Sequence, residues 1–431
     1  MELIQRGGNI MKKRILGIIA MLLITTMALG ETIKVGMSTP LSGPIAVYGQ
    51  TTLNGIKLAT EELNKKGGIK GKKVELIIED NKGDAAEAVN AVKKMINVNK
   101  IKALLGPVIS TNSLAVAPIM QENKIPMLTP TGTNITITEV GDYIARTCFI
   151  DEFQGQVMGA FAIKNLEAKN AVMMTDVNSD YSEGLAEEFK KVFEAGGGKI
   201  LDTVSYVAND VDFTSQLTKI KTKKPDVIFV PGYYSEVSLI VKQARELRID
   251  SVFLGGDGWD NGKLFEIAGD SIKGSFISTH FSPESEDEQI QNFLKNYKAR
   301  FGEDPSVLSA LGYDAANVMY AAMERAENLE GVNIKNEINK TKDFKGVTGL
   351  LSLDENRNAV KSAFVLEARD GGFKYKATVE PMKKTEKIKK TEDKVEKNTE
   401  ESKKKKSNNT VLIIGILIAA IVGITLMNKK K

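Results

Sequence analysis

Short apolar runs rich in Val, Ile and Leu alternate along this chain with longer stretches whose apolar positions recur every three or four residues. Runs of the first kind are "TIKVGMS", "KVELIIED", "IKALLGP" and "IPMLTP". Between them the periodicity predicts helices over 47–65, 84–96 and 111–123. The rhythm restarts after "YIARTCFI", with "NAVMMTDV", "GGKILDTVSYV", "PDVIFVPG" and "SVFLGGDG", each followed by a helical pattern. Strands that alternate with helices predict parallel sheets covered on both faces. Roughly 350 residues take part, more than one hydrophobic core usually serves. The expected fold class is therefore α/β, with two doubly wound, Rossmann-like lobes.

The ends of the chain read differently. From Met11, Lys12, Lys13 and Arg14 precede an apolar run that closes on Ala28-Leu29-Gly30, the layout of an export signal. Residues 1–30 are expected to be a signal peptide, with translation starting at Met11 and Glu31 the first mature residue. Residues 410–427, "TVLIIGILIAAIVGITLM", form an uncharged apolar run near the lower length limit for a membrane-spanning helix. Between the folded part and this run, residues 382–409 hold almost no apolar side chains and read as a charged, extended stalk. A marginal charged helix is the alternative for that segment. An exported chain stopped by the apolar run leaves its bulk outside, anchored to the outer face of the cytoplasmic membrane, with residues 428–431 as a cytoplasmic tail.

Charge changes the picture once it is divided. The net +4 comes from the ends, where residues 382–410 alone carry eleven Lys against six acids, so the folded part is acidic. That argues against nucleic acid as a partner. The single cysteine, Cys148, allows no intrachain disulfide and reads as a small buried hydrophobe.

Ligands of doubly wound sheets bind outside the carboxyl ends of the strands. Four such ends draw notice: "GPVIST" (106–111), "TPTGT" (129–133), "PGYYS" (231–235) and "GGDGW" (255–259). The only histidine, His280, has no matching nucleophile, and no metal-ligand or phosphate-loop spacing occurs, so neither an enzyme nor a cofactor is expected. Binding of a small polar molecule fits better. Ser110 and Thr111 open a predicted helix, where hydroxyls and free N–H groups favour an anion. Thr133 adds a hydroxyl, Thr131 a carbonyl and Asp257 a carboxylate. The same residues could serve as a helix cap, turn formers and an Asx turn.

Residues 34–375 resemble the branched-chain amino acid binding proteins of ABC importers, the type I periplasmic binding proteins. The likeness is carried by "PLSGPIAVYGQ" (40–50), "GIKLATEELNKKGGIKGKKVELIIED" (55–80), "IPMLTPTGT" (125–133), "DYSEGLAEEF" (180–189), "DFTSQLTKIKTKKPDVIFVPGYYSE" (212–236), "FLGGDGW" (253–259) and "GYDAANVM" (312–319). It implies that Ser110 and Thr133 hold a ligand carboxylate and that Thr131, Thr133 and Asp257 hold its ammonium, with Gly132 between them. Tyr48, Tyr181 and Tyr233 then line the pocket, which Leu308, Tyr234 and Trp259 complete. The resemblance also implies three chain crossings, near 149–152, 277–282 and 349–354. Lobe 1 is then expected from 31–149 and 280–350, and lobe 2 from 150–279 and 351–381. Hinge closure on a small amino acid, delivery to an ABC permease and ATPase, and a monomeric state follow as expectations. A surface receptor or sensor subunit for amino acids or short amides is the alternative use of the same fold. The chain departs from the resemblance in three respects: Asp257 stands in place of a glutamate, the paired cysteines of some members are missing, and the C-terminus carries its apolar run.

Overall fold

The structure, a computed structural model, describes residues 32–381 apart from Ser282. The expected signal peptide, stalk and apolar run at 410–427 lie outside these residues; among the described residues no helix is long and apolar enough to cross a membrane.

Two large sheets organise the described part. The first holds β1 (Ile33–Thr39), β2 (Val74–Asp80), β3 (Ala103–Leu105), β4 (Met127–Thr129) and β5 (Ile144–Arg146), in the order β2-β1-β3-β4-β5. All of its pairings are parallel. The second contains β6 (Asn170–Asp176), β7 (Lys199–Tyr206), β8 (Val227–Phe229), β9 (Val252–Gly255) and β10 (Phe276–Thr279), in the order β7-β6-β8-β9-β10. Each sheet thus repeats the doubly wound order 2-1-3-4-5, whose direction reverses beside its first strand. Strands buried on both faces need unbroken apolar runs, which is why Ala103-Leu104-Leu105 and Val227-Ile228-Phe229 are wholly buried. Phe229 in turn stacks on Phe189 of the helix Asp180–Ala195, ring centroids 4.1 Å apart.

The second sheet is not purely parallel. β11 (Phe344–Gly346), β12 (Gly349–Leu353) and β13 (Ala359–Val360) form a small sheet of their own, after which β14 (Ala363–Arg369) and β15 (Gly372–Val379) extend the second sheet beyond β10. β14 runs antiparallel to both β10 and β15. A hairpin joins β14 to β15 through Asp370-Gly371, and Gly371 takes the positive φ of 70° that such a tight turn requires. Alternation of strand and helix had predicted parallel strands only; a strand added beyond β10 after a distant excursion is free to pair in either sense.

The helix periods hold with small shifts, to Ala46–Lys65, Ala85–Lys94 and Ser110–Glu122. The second of these continues into a π-helical turn, Met95–Asn99, which ends at Lys100 in the left-handed conformation.

Candidate functional site

Both direction reversals place loops at one cleft. On the side of the first sheet, β1 leads to Tyr48 in the first turn of the helix Ala46–Lys65, β3 leads to Ser110, and β4 leads to Thr131. On the side of the second, β6 leads to Tyr181, β8 to Tyr233, and β9 to Asp257 in the 3-10 turn Asp257–Trp259. Leu308 joins them from the first turn of the helix Val307–Arg325. These seven side chains line one small cavity of about 20 Å³, with Val108, Ile109 and Gly258. That volume admits about one water. Two larger hollows, of about 600 and 670 Å³, are open and lie elsewhere. Neither gathers residues from the strand ends of both sheets.

Gly132 and Thr133 do not line the cavity. Gly132 is held by its backbone: its N–H donates to Thr129 Oγ1 at 2.9 Å and its carbonyl accepts from Arg146 Nη1 at 2.8 Å. Thr133 lies just behind, its Oγ1 buried without a hydrogen-bond partner while its carbonyl accepts the Asp151 N–H at 3.1 Å. Arg146, from β5, fixes this whole tip, its Nη2 donating also to the Asn134 carbonyl at 2.7 Å. The hydroxyl of Thr131 donates to the Val108 carbonyl, joining the tip to the loop before Ser110. Ser110 does not cap its own helix; Ile109 stands at the cap, and Ser110 Oγ accepts the Asn134 N–H at 3.3 Å. The first N–H groups of a helix have no partner within it, so the Ser110 turn keeps donors near the cavity.

Hydrogen bonds hold the two sides together. Asn134 Nδ2 donates to the Asp180 carbonyl at 2.7 Å, and the Asp180 N–H to Thr111 Oγ1 at 3.2 Å. The Tyr48 hydroxyl donates to the Gly258 carbonyl and accepts the Tyr234 N–H at 3.2 Å. Tyr234 stacks on Tyr48 with centroids 5.3 Å apart and donates its hydroxyl to the Pro44 carbonyl at 2.9 Å. Tyr233 meets Tyr48 edge-on and Tyr181 face-on, each at 5.3 Å. The result is a closed cleft with an aromatic wall. Burial raises the hydroxyl pKa of Tyr48, Tyr181 and Tyr233 well above the phenol range, so all three remain neutral donors.

Asp257 is the most constrained member. Its Oδ1 accepts from the Tyr181 hydroxyl and its Oδ2 pairs with His280 Nε2, each at 3.0 Å. Its N–H donates to Gln154 Oε1 at 2.7 Å, which also accepts from Ser278 Oγ. The glycines of "GGDGW" permit this crowding: a Cβ on Gly258 would stand 2.5 Å from the Gly232 carbonyl oxygen. Trp259 belongs to lobe packing instead, wholly buried with its Nε1 donating to the Val230 carbonyl at 2.9 Å.

Asp151, Gln154, Arg146 and His280 surround the candidate residues and were not singled out as binding residues by the sequence. Asp151 and Gln154 share a face in the first turn of the helix Asp151–Lys164 and are both buried there, which nothing in the sequence pattern signalled. Burial pushes the Asp151 carboxyl up to about 8, opposed by the nearby Thr133 hydroxyl and reinforced by Asp257. Burial also takes His280 down to about 4, against the pull of Asp257, so its imidazole is neutral at pH 7. Cys148 is buried as expected, its thiol pushed up to about 12 by desolvation.

Two α/β lobes whose strand-end loops meet at a polar, aromatic-walled cleft define a binding protein. The chain belongs to the family described as periplasmic binding protein, which matches residues 32–372. It is similar to the Leu/Ile/Val-binding protein BraC3 of Rhizobium johnstonii, 31% identical over 79% of this chain and 92% of that one. A leucine-, isoleucine-, valine-, threonine- and alanine-binding protein of Pseudomonas aeruginosa is 30% identical over 75% of this chain and 86% of its own. Among solved structures, the leucine-binding protein LivK of Thermotoga maritima matches with a TM-score of 0.79 and 39% identity, over 81% of this chain and 99% of that one. LivJ of Streptococcus pneumoniae, solved with isoleucine, matches with a TM-score of 0.76 and 35% identity, over 81% and 100%. The family is one of binding proteins, and the chain is accordingly a binder rather than an enzyme.

Proposed function

We propose that this chain is the extracytoplasmic solute-binding subunit of an ABC importer and that it takes a small amino acid, branched-chain aliphatic foremost, into the cleft. The observation that carries the reading is the meeting, in one cavity, of Ser110 and Thr131 from one sheet, Asp257 from the other, and an apolar wall of Tyr48, Tyr233 and Leu308. An α-amino acid asks for that combination: donors for its carboxylate, a carboxylate for its ammonium and apolar surface for its side chain. Ser110, with the N–H groups of the helix start, holds the carboxylate; Thr131 and Asp257 hold the ammonium. In this reading residues 31–149 and 280–350 form lobe 1, and 150–279 and 351–381 form lobe 2. Ligand docks on the first, and the closed form gains by the contacts the second adds. The closed form is then what a permease recognises, with the apolar run at 410–427 as the tether.

Titration calorimetry of the full-length chain with L-leucine, L-isoleucine and L-valine tests the reading. Binding of the free amino acids, lost when their carboxylates are amidated, is the expected result; equal binding of the amides would remove Ser110 from the carboxylate. A second expectation concerns closure. Tyr48→Phe removes two hydrogen bonds between the lobes and is expected to weaken L-leucine binding about fivefold or more, at roughly 0.5–1.5 kcal/mol per bond. An unchanged affinity would mean that Tyr48 does not favour the closed form.

A further inference from the structure

We propose that His280 is a positioning residue for the ligand's ammonium group: its neutral imidazole donates from Nε2 to Asp257 Oδ2 and so aims the carboxylate into the cleft. The inference rests on the reading of Asp257 as the ammonium's partner and adds what makes a short aspartate serviceable there. An aspartate at this strand end carries its oxygens one methylene nearer the backbone than a glutamate would. Two donors from separate elements hold it, the Tyr181 hydroxyl on Oδ1 and His280 on Oδ2, each at 3.0 Å.

The imidazole is itself fixed. It stacks on Phe149, ring centroids 3.4 Å apart and planes 22° apart, and it is wholly buried. Phe149 and His280 lie where the chain passes from the first sheet towards the second and where it leaves β10, so one ring bridges two crossings and touches the carboxylate. The tautomer follows from the partners. A carboxylate oxygen only accepts, so Nε2 must carry the proton, and Nδ1, buried with no hydrogen-bond partner, is left as the bare nitrogen. A neutral donor fits the task because a second cation beside Asp257 would repel the ammonium it is meant to receive.

One histidine in the whole chain makes the test direct. Nitrogen-15 NMR of the full-length chain at pH 7 is expected to show a single imidazole protonated at Nε2, whose resonance moves when L-leucine is added. A proton on Nδ1, or a resonance indifferent to L-leucine, would overturn the assignment. Calorimetry of two variants gives the energetic counterpart. His280→Phe keeps the stacking ring but loses the donor, and is expected to weaken L-leucine binding about tenfold or more. His280→Gln keeps a donor near the position of Nε2 and is expected to recover most of that loss. Equal weakening in both variants would make His280 a packing residue, and no weakening in either would overturn the inference while leaving the amino-acid site standing. Failure of the unsubstituted chain to bind L-leucine, L-isoleucine or L-valine would instead overturn the proposed function, and this inference with it.

Discussion

Replacing Asp257 with alanine is expected to weaken amino-acid binding by roughly two orders of magnitude or more while leaving the fold intact. The size follows from where the charge sits. Tyr48, Tyr181 and Tyr233 line the cleft, so an ammonium brought there leaves most of its water behind. Removing the carboxylate that receives it leaves a buried unpaired cation, at a cost of about 3–5 kcal/mol. Each 1.4 kcal/mol is about tenfold in affinity. The fold survives because Asp257 lies in a 3-10 turn held by its backbone: its N–H bonds to Gln154, and the Gly258 N–H donates to the Tyr181 hydroxyl at 3.1 Å, whichever side chain stands at 257. Asp257→Asn should fall between, since it keeps an acceptor but loses the charge. Calorimetry with L-leucine, set beside a thermal melt of each variant, checks the two halves separately. Unchanged affinity in Asp257→Ala would place the ammonium elsewhere.

Much of this was legible in the sequence because it is local. Apolar runs of the length of "PDVIFVPG" between helix periods are enough to imply a doubly wound sheet, and its strand ends can be read off as candidate loops. Ser110, Thr131, Tyr233 and Asp257 line the cavity for that reason, whereas Tyr48, Tyr181 and Leu308, which line it too, were pointed to by the family resemblance. The β14–β15 hairpin was also written in the chain: "ARDGGFKYK" places Asp-Gly between alternating runs. It was obscured by lying beyond the point where the strand–helix rhythm stops. What was not legible is the layer behind the cavity. Gln154 meets Asp257 across 103 positions and Ser278 across 124, and no periodicity connects them. His280 reads as an isolated histidine until the fold brings it to Asp257. Asp151 reads as an ordinary acid in the first turn of a helix, a place where acids are common on electrostatic grounds alone.

Asp151 provides the other large expected effect, on stability rather than affinity. Both of its carboxylate oxygens are buried without a hydrogen bond of good geometry, and Asp257 adds like charge nearby. Its pKa therefore stands at about 8 in the folded chain, against the usual 3.8. A folded pKa raised above the unfolded one means that folding takes up a proton. The carboxyl is harmless below about pH 4, costs stability progressively as the pH rises, and reaches its full cost once the pH passes about 8. At about 1.4 kcal/mol per unit of separation, the cost at pH 7 has a ceiling of roughly 4 kcal/mol, lowered by whatever water reaches the site. Asp151→Asn keeps the shape, the main-chain bond to Thr133 and a side chain able to meet the Thr133 hydroxyl, but never ionises. It is expected to be more stable than the native chain at neutral pH by several kcal/mol. The gap should be near zero at pH 4, widen through pH 5, 6 and 7, and level off above 8. Urea unfolding of the two chains across that range measures it. A gap independent of pH would show that the native carboxyl is already ionised and solvated. A gap that follows the expected course would mean that the chain keeps a costly acid next to Asp257 for something other than stability.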